Sequence, residues 1–302
     1  MTVVGCDNLV IVQPYLNRVL RRLHYQLETD PVEDEWRGWR WDQPPLRPRA
    51  YFGLSMADVV SRYCSTKRDV WLRHVKRVRQ PQYLHRQLSI GLIIHDIFHL
   101  ANKLFLEASV RFTDPSEVYD YMIKNGMAGF RSNGIDLLEE PWAWSLYRKI
   151  VHSYVGSMAL RMIWHPGSRG YEGLLWLTEH HIDGSMLGLS QNLRVDAYGE
   201  GIVVEIKYGR PMDFHRLALA GYALVLEANY EVPVNYGLII YVNGIPDYSP
   251  RISVKPYYLS TSLRRFFIDE RDEVIDLLLS EKEPPRPLEC PESCPYYKVC
   301  RG

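Results

Sequence analysis

Apolar positions recur along this chain with two different periods, and the change falls near residue 170. Before about residue 165 they return every three or four residues, the spacing of helices packed by one face. Leu88, Leu92, His95, His99 and Asn102 fall on one such stripe, which predicts a helix carrying His95 on its apolar face. Ser55 is a candidate N-cap for a helix through Ala57, Val60 and Tyr63. A further helix is predicted from Trp142 to Trp164, ended by His165-Pro166-Gly167. Proline, arginine and tryptophan from Trp36 to Pro48 read as a loop.

Beyond Gly173 the period shortens. Leu174 to Leu177, Asn192 to Tyr198 and Gly201 to Lys207 read as strands, the last two joined tightly through Gly199-Glu200-Gly201. A helix from about Asp213 to Asn229 has an almost wholly apolar middle, LALAGYALVL, and is expected to be buried. Val234 to Val242 and Arg251 to Tyr258 are further strands, and a helix from about Ser262 to Leu279 leads into a proline-rich link. The fold class is α/β (mixed α+β). Three segments are expected: a mainly helical part over 1–170, a sheet-bearing core over 171–262, and a C-terminal helix with a cysteine tail over 263–302.

Composition narrows the class. The 302 residues are 46% hydrophobic and 24% charged, enough to bury a core without a membrane span. The N-terminal MTVVGCDNLVIVQPYL has no basic start followed by an apolar run, so no signal peptide is expected and a cytoplasmic location follows. With 36 basic and 36 acidic residues, net charge gives no overall attraction to nucleic acid. Locally, Arg62, Lys67, Arg68, Arg73, Lys76, Arg77, Arg79 and Arg86 are opposed only by Asp69. That stretch is either a phosphate-binding face or a solvated helix surface. Trp39 and Trp41 with Arg37 and Arg40, and also Tyr171 and Trp176, are candidates for stacking on bases, against ordinary packing.

Of five cysteines, Cys290, Cys294 and Cys300 crowd the end of the chain, and Cys64 can supply a fourth thiolate. Thiolates are soft ligands suited equally to zinc and to iron–sulfur clusters, and the residues alone leave both open. Cys6 is left over as an ordinary thiol.

The run Asn192-Leu193-Arg194-Val195-Asp196, followed by Val203-Val204-Glu205-Ile206-Lys207, carries the candidate chemistry. Residues two apart in a strand share a face, about 7 Å apart, so Glu205 and Lys207 point together while Val204 and Ile206 face the core. A hairpin can bring Asp196 beside Glu205. Two carboxylates there suit a hard divalent cation, and Lys207 can orient or deprotonate water, which fits phosphodiester hydrolysis. The plainer alternative is an exposed Glu/Lys pair. His95 and His99 form a His-Asp-x-x-His set that invites a zinc reading, but Asp96 stands where a metalloprotease needs Glu. Glu179, His180, His181 and Asp183 could add metal ligands or contact DNA, and read first as capping or lining the rim of the site.

Taken in order, these motifs resemble a known family. Asp196 with Glu205-Ile206-Lys207 is similar to the PD-(D/E)xK nuclease core, Gly91 and His95 to the extra histidine of its RecB-like branch, and Cys64 with Cys290, Cys294 and Cys300 to its iron–sulfur members. Together they look like the CRISPR-associated "Cas four" exonucleases, in the archaeal branch tied to subtype I-A systems, over about residues 55 to 302. The resemblance implies a restriction-endonuclease-like, RecB-like core. It implies Mg²⁺ or Mn²⁺ held by His95, Asp196, Glu205 and the Ile206 carbonyl, with Lys207 catalytic, and a [4Fe–4S] cluster on Cys64, Cys290, Cys294 and Cys300. The implied activity is DNA trimming from 5′ ends, on single strands or frayed duplexes, for spacer acquisition alongside integrase subunits and other adaptation proteins. The family's Q-x-x-x-Y departs here: Tyr222 fits the tyrosine, but Ala218 holds the glutamine position, and only His215 or Arg216 offers a polar group one turn earlier. An iron–sulfur scaffold subunit of weak activity and a RecB-like repair nuclease are the alternatives.

Overall fold

Helices fill most of the first half and strands follow, as the change in period requires. The computed structural model describes residues 13–79, 86–132, 134–136, 140–170, 176–245, 249–290 and 294–301. The helical half runs through α1 (Gln13–Thr29), α2 (Met56–Val60), α3 (Arg68–His74), α4 (Arg86–Arg111), α5 (Pro115–Ser132) and α6 (Pro141–Trp164). Then come β1 (Leu177–Ile182), β2 (Leu193–Gly199), β3 (Ile202–Tyr208), α7 (His215–Tyr230), β4 (Tyr236–Asn243), β5 (Arg251–Tyr258), α8 (Thr261–Leu279) and α9 (Tyr297–Arg301). The expected strand at Leu174 to Leu177 differs: the first strand begins only at Leu177, and residues 174 and 175 lie outside the described residues. Its sequence, LTEHHI, hides a strand because only its last residue is buried.

Among the described residues, five strands form one mixed sheet in chain order. β3 and β4 are parallel and the remaining neighbours antiparallel. A parallel pair needs a crossover, and α7 supplies it. The sheet separates two apolar layers. Side chains of α4, α5 and α6 pack on one face with Val204, Ile206, Leu238 and Ile240. The other face carries Val203, Ile239 and Tyr241 under α7, α8, α2 and α3. Leu217, Leu219, Leu224 and Leu226 of α7 are all buried, each contributing roughly 1.5–3 kcal/mol.

Residues Ser89–Arg111 of α4 are long and apolar enough for a membrane span by composition. Ile94, Ile97, Ala101, Phe105 and Ala108 nevertheless fill the core between this helix, its neighbours and the sheet.

Buried polar groups join distant parts of the chain. The fully buried Glu227 carboxylate on α7 accepts from Arg37 at 2.8 Å, from Arg264 at 2.7 and 3.0 Å, and from the amides of Gly38 and Val234 at 2.9 and 3.0 Å. Only glycine fits at 38, because a Cβ there would meet the Leu224 carbonyl at 1.9 Å. Trp39 and Arg40 both donate to Asp34, which folds part of this arginine- and tryptophan-rich stretch into a clasp, while Trp41 stays exposed. The second basic stretch is likewise engaged. Arg62 pairs with Glu270, Arg68 with Glu283 and Arg73 with Asp58. Lys76 lies over the Trp71 ring at 5.5 Å. Arg77 and Arg79 stay exposed, so carboxylates distant in sequence take up part of this basic stretch and leave part of it facing outward.

Candidate active site

The β2–β3 hairpin turns on Glu200 and Gly201, both with positive φ, 54° and 71°. That left-handed pair matches the twist of the flanking strands. The ladder pairs Gly199 with Ile202, Tyr198 with Val203 and Ala197 with Val204. One step further, Asp196 and Glu205 would face each other, and there the ladder opens. The Asp196 carboxylate enters the gap, its Oδ2 accepting from the Ile206 amide at 2.6 Å. β2 changes face at the same point: Leu193, Val195 and Tyr198 pack toward α7, while Ala197 packs toward α4 and α6. On the other side, β1 pairs Thr178 with Ala197 and His180 with Val195, skipping Glu179 and Asp196. Glu179 itself has φ of 52°. The ladder pairing is interrupted on both sides where the acidic residues lie, as is common beside active sites.

α4 brings His95 to this opening. Its Nδ1 lies 3.3 Å from Asp196 Oδ1 and 3.4 Å from Glu179 Oε1. The other Glu179 oxygen accepts from Arg194 Nε at 2.8 Å. Ligand atoms of His95, Glu179 and Asp196 all fall within 4.8 Å of one another. Glu205 is buried; Lys207 donates to its Oε1, and its Oε2 is buried without a partner. A buried carboxylate oxygen left unpaired is costly, and a cation shared with the adjoining carboxylates removes that cost. The donor set therefore fits a hard divalent ion.

Electrostatics agree with the geometry. Burial opposes a charged His95, but hydrogen bonds and charge from Asp196 and Glu179 outweigh it and push the imidazole up to about 10. Burial raises the Glu205 carboxyl, with the Lys207 charge pulling the other way. Burial also disfavours the Lys207 ammonium, yet Glu205 and Asp196 hold it above its ordinary value. Tyr222 on α7 is shifted well upward by burial and then by the charges of Glu205, Asp196 and Glu179, so its hydroxyl shares their environment. Ala218 is buried among apolar side chains and offers no polar contact. His215 turns its Nδ1 to the Tyr241 hydroxyl at 3.2 Å, and burial, then Lys207, push it down to about 4. Tyr63, whose ring stands edge-on to Phe214 at 5.4 Å, adds to the surroundings of Lys207.

Asp196, Glu205, Lys207, His95 and the Ile206 backbone, all singled out from sequence, thus meet at one place. His99 does not join them; it bonds to Thr178 at 2.8 Å, which removes the paired-histidine zinc reading. The face carrying His95 is not the apolar one either. Leu92 is half exposed and His99 exposed, and the stripe continues at Asn102, which donates to the Trp176 carbonyl at 2.9 Å. This is the polar face of α4 turned to the edge strand. The Leu88 side chain, Tyr171 and Cys6 lie outside the described residues. Glu179, read from sequence either as a further metal ligand or as part of the rim, sits inside the group. Its polarity was visible in sequence, but nothing there signals a left-handed residue within a strand.

Four cysteines gather toward α3 and the C-terminal tail. Cys64 precedes α3 and lies 3.7 Å from Thr66 Oγ1. Arg68 donates to the Pro284 carbonyl at 2.5 Å and is drawn further by Glu283 and Cys300. Arg73 reaches Tyr296 at 3.4 Å. An open cleft of about 980 Å³ runs between Tyr63, Ser65 and Thr66 on one side and residues 285–290, ending at Cys290, on the other. Burial pushes the Cys294 thiol up to about 11, and the neighbouring Cys290 adds to the shift. Two thiols held this close are a soft donor pair that suits a thiophilic centre.

Comparison with known proteins adds an independent finding. The family described as CRISPR-associated exonuclease Csa1 matches residues 10–302. The chain is 32% identical over 290 residues to the CRISPR-associated exonuclease Csa1 of Thermoproteus tenax, covering 94% of this chain and 97% of that protein. It is 33% identical over 282 residues to the protein of the same description from Saccharolobus solfataricus, covering 89% and 92%.

Proposed function

The chain belongs to the CRISPR-associated exonuclease Csa1 family, and from that premise we propose that it hydrolyses DNA at the His95, Asp196, Glu205 and Lys207 site in a metal-dependent reaction. The observation that carries this reading is the buried Glu205 carboxylate: one oxygen is taken by Lys207, the other has no partner, and Asp196 and His95 stand beside it. Mg²⁺ or Mn²⁺ would be held by His95, Asp196, Glu205 and the Ile206 carbonyl. That carbonyl leaves β3 on the same side as the amide bonded to Asp196, toward the opened ladder. When bound, such an ion supplies Lewis acidity toward the phosphate.

The chain's own groups do the rest. The Lys207 ammonium, held above its ordinary value by Glu205 and Asp196, offers a charge and a hydrogen-bond donor to water or phosphate. Asp196 fixes the Ile206 backbone while its other oxygen faces His95. Tyr222 and Tyr63 border the position a strand end would take. A RecB-like core over residues 171–262, 5′-end preference and preparation of fragments for spacer acquisition with integrase subunits in the cytoplasm complete the proposal. So does a [4Fe–4S] cluster on Cys64, Cys290, Cys294 and Cys300.

The test is degradation of 5′-ended single-stranded DNA with Mn²⁺ by the wild type, Lys207→Ala and Glu205→Ala. Each variant is expected to lose about 100-fold or more in rate. Equal degradation by all three removes the assigned site. Binding without degradation by the wild type favours the scaffold reading, for which Ala218 in place of the family glutamine is the motivating feature.

A further inference from the structure

We infer that Glu179 is a direct ligand of the active-site cation and that the acidic set on this chain is one carboxylate larger than its motifs announce. The inference rests on the metal-dependent reading above and deepens it.

Three observations carry it. First, Glu179 Oε1 and Asp196 Oδ1 lie 3.4 and 3.3 Å from the same His95 nitrogen, and all three ligand atoms fall within 4.8 Å of one another. Adjacent ligands on an octahedral ion with bonds of about 2.1 Å stand about 3.0 Å apart, and opposite ligands about 4.2 Å. The three atoms can therefore reach one ion with shifts of a few tenths of an ångström. Second, Glu205 is 4% exposed and its Oε2 lacks any partner, while its electrostatic neighbours are Lys207, Asp196 and His95. An unmet buried acceptor beside the triad points to a cation in the space they enclose. Third, Glu179 is oriented for the task. Arg194 takes its Oε2 at 2.8 Å, which leaves Oε1 to turn inward, and the left-handed backbone at 179 interrupts the β1–β2 ladder so that the side chain reaches α4.

The alternative is that Glu179 only orients the His95 ring. The two roles separate by charge and by water. Gln at 179 still accepts a hydrogen bond from His95 but contributes no charge, and Ala frees a coordination position for water.

Mn²⁺ binding to the full chain, without DNA, is measured by the electron paramagnetic resonance of free Mn²⁺ and by water proton relaxation of the bound ion. Glu179→Gln is expected to weaken Mn²⁺ binding by about tenfold or more. Bound Mn²⁺ in Glu179→Ala is expected to relax water protons faster than in the wild type. Asp196→Asn is the reference, and circular dichroism checks that each variant is folded. Wild-type affinity and relaxivity in both Glu179 variants, with affinity lost in Asp196→Asn, overturns the inference and leaves the metal site standing. Unchanged binding in Asp196→Asn overturns both together.

Discussion

Asp58 shows how a single buried carboxylate organises its surroundings. It is 3% exposed, caps the first turn of α2 with Ser55, and receives Arg73 and His74 from α3. The Lys67 ammonium meanwhile donates to the carbonyls of Asp58, Val59 and Ser61 at 2.7 to 3.0 Å. Burial alone would raise the Asp58 carboxyl, but His74, Arg73 and Ser55 hold it below its ordinary 3.8. The folded state then binds this proton less readily than the unfolded chain, so the stabilisation is complete above 3.8 and disappears as pH falls through the folded value. Asp58→Asn is expected to lose about 3 kcal/mol at neutral pH. Urea midpoints of the two proteins should converge in acid below the ordinary Asp value; a gap that persists there means charge is not what Asp58 contributes. Ser55 as a helix start could be read directly from sequence, since capping is a local rule. The partners of the basic residues could not, because Glu270 and Glu283 are remote along the chain.

At the scale of elements, the β2–β3 hairpin was legible almost to the residue. Alternating Val203, Glu205 and Lys207 set the face, and Gly199-Glu200-Gly201 set the turn. α7 and β5 were legible for similar reasons, one from an apolar run too long for a strand, the other from its alternation. What period-two reasoning cannot foresee is the break at Asp196, where a side chain replaces a backbone partner and the strand changes face. Nor could helical periodicity tell which stripe of α4 meets the core, because His95, His99 and Asn102 repeat with the same spacing as the buried Ile94, Ile97 and Ala101. The turn carries its own expectation. Gly201 has φ of 71°, and a Cβ there would meet only the Pro233 carbonyl at 3.4 Å, so a substitution suffers from the backbone rather than from crowding. Gly201→Ala is expected to cost on the order of 1 kcal/mol, read as a lowered melting temperature. Because the turn fixes the register that sets Asp196 against Glu205, Mn²⁺ affinity should fall with it. A fall in stability with unchanged Mn²⁺ affinity would mean the site does not depend on the turn.

Over the whole molecule, the C-terminal tail closes onto the loop before α3 across most of the chain length. Arg68 and Arg73 hold it from one side, and Arg301 ties back to the Pro287 and Leu288 carbonyls within the tail itself. Tyr296 and Cys300 are buried, but Leu288 is 96% exposed. Pro284 and Pro287 are buried as well, and a centre held by the proposed cysteine ligands would add to this anchorage. Closing a long loop by a shared centre also restricts the unfolded chain. Anaerobically purified protein is therefore expected to be brown, and Cys290→Ala to be colourless. The variant should also be cut sooner by trypsin after Lys298 and melt at a lower temperature. A colourless wild type holding stoichiometric zinc would replace the iron–sulfur assignment with a tetrahedral thiolate site. A variant as protease-resistant as its parent would show that Arg68 and Arg73 suffice. The consequence reaches the catalytic side as well. Tyr63 borders both the cleft beside Cys290 and the surroundings of Lys207. A loosened tail should therefore weaken DNA binding while leaving Mn²⁺ affinity unchanged, since the side-chain ligands proposed for the ion lie on α4, β1, β2 and β3 and none on the tail.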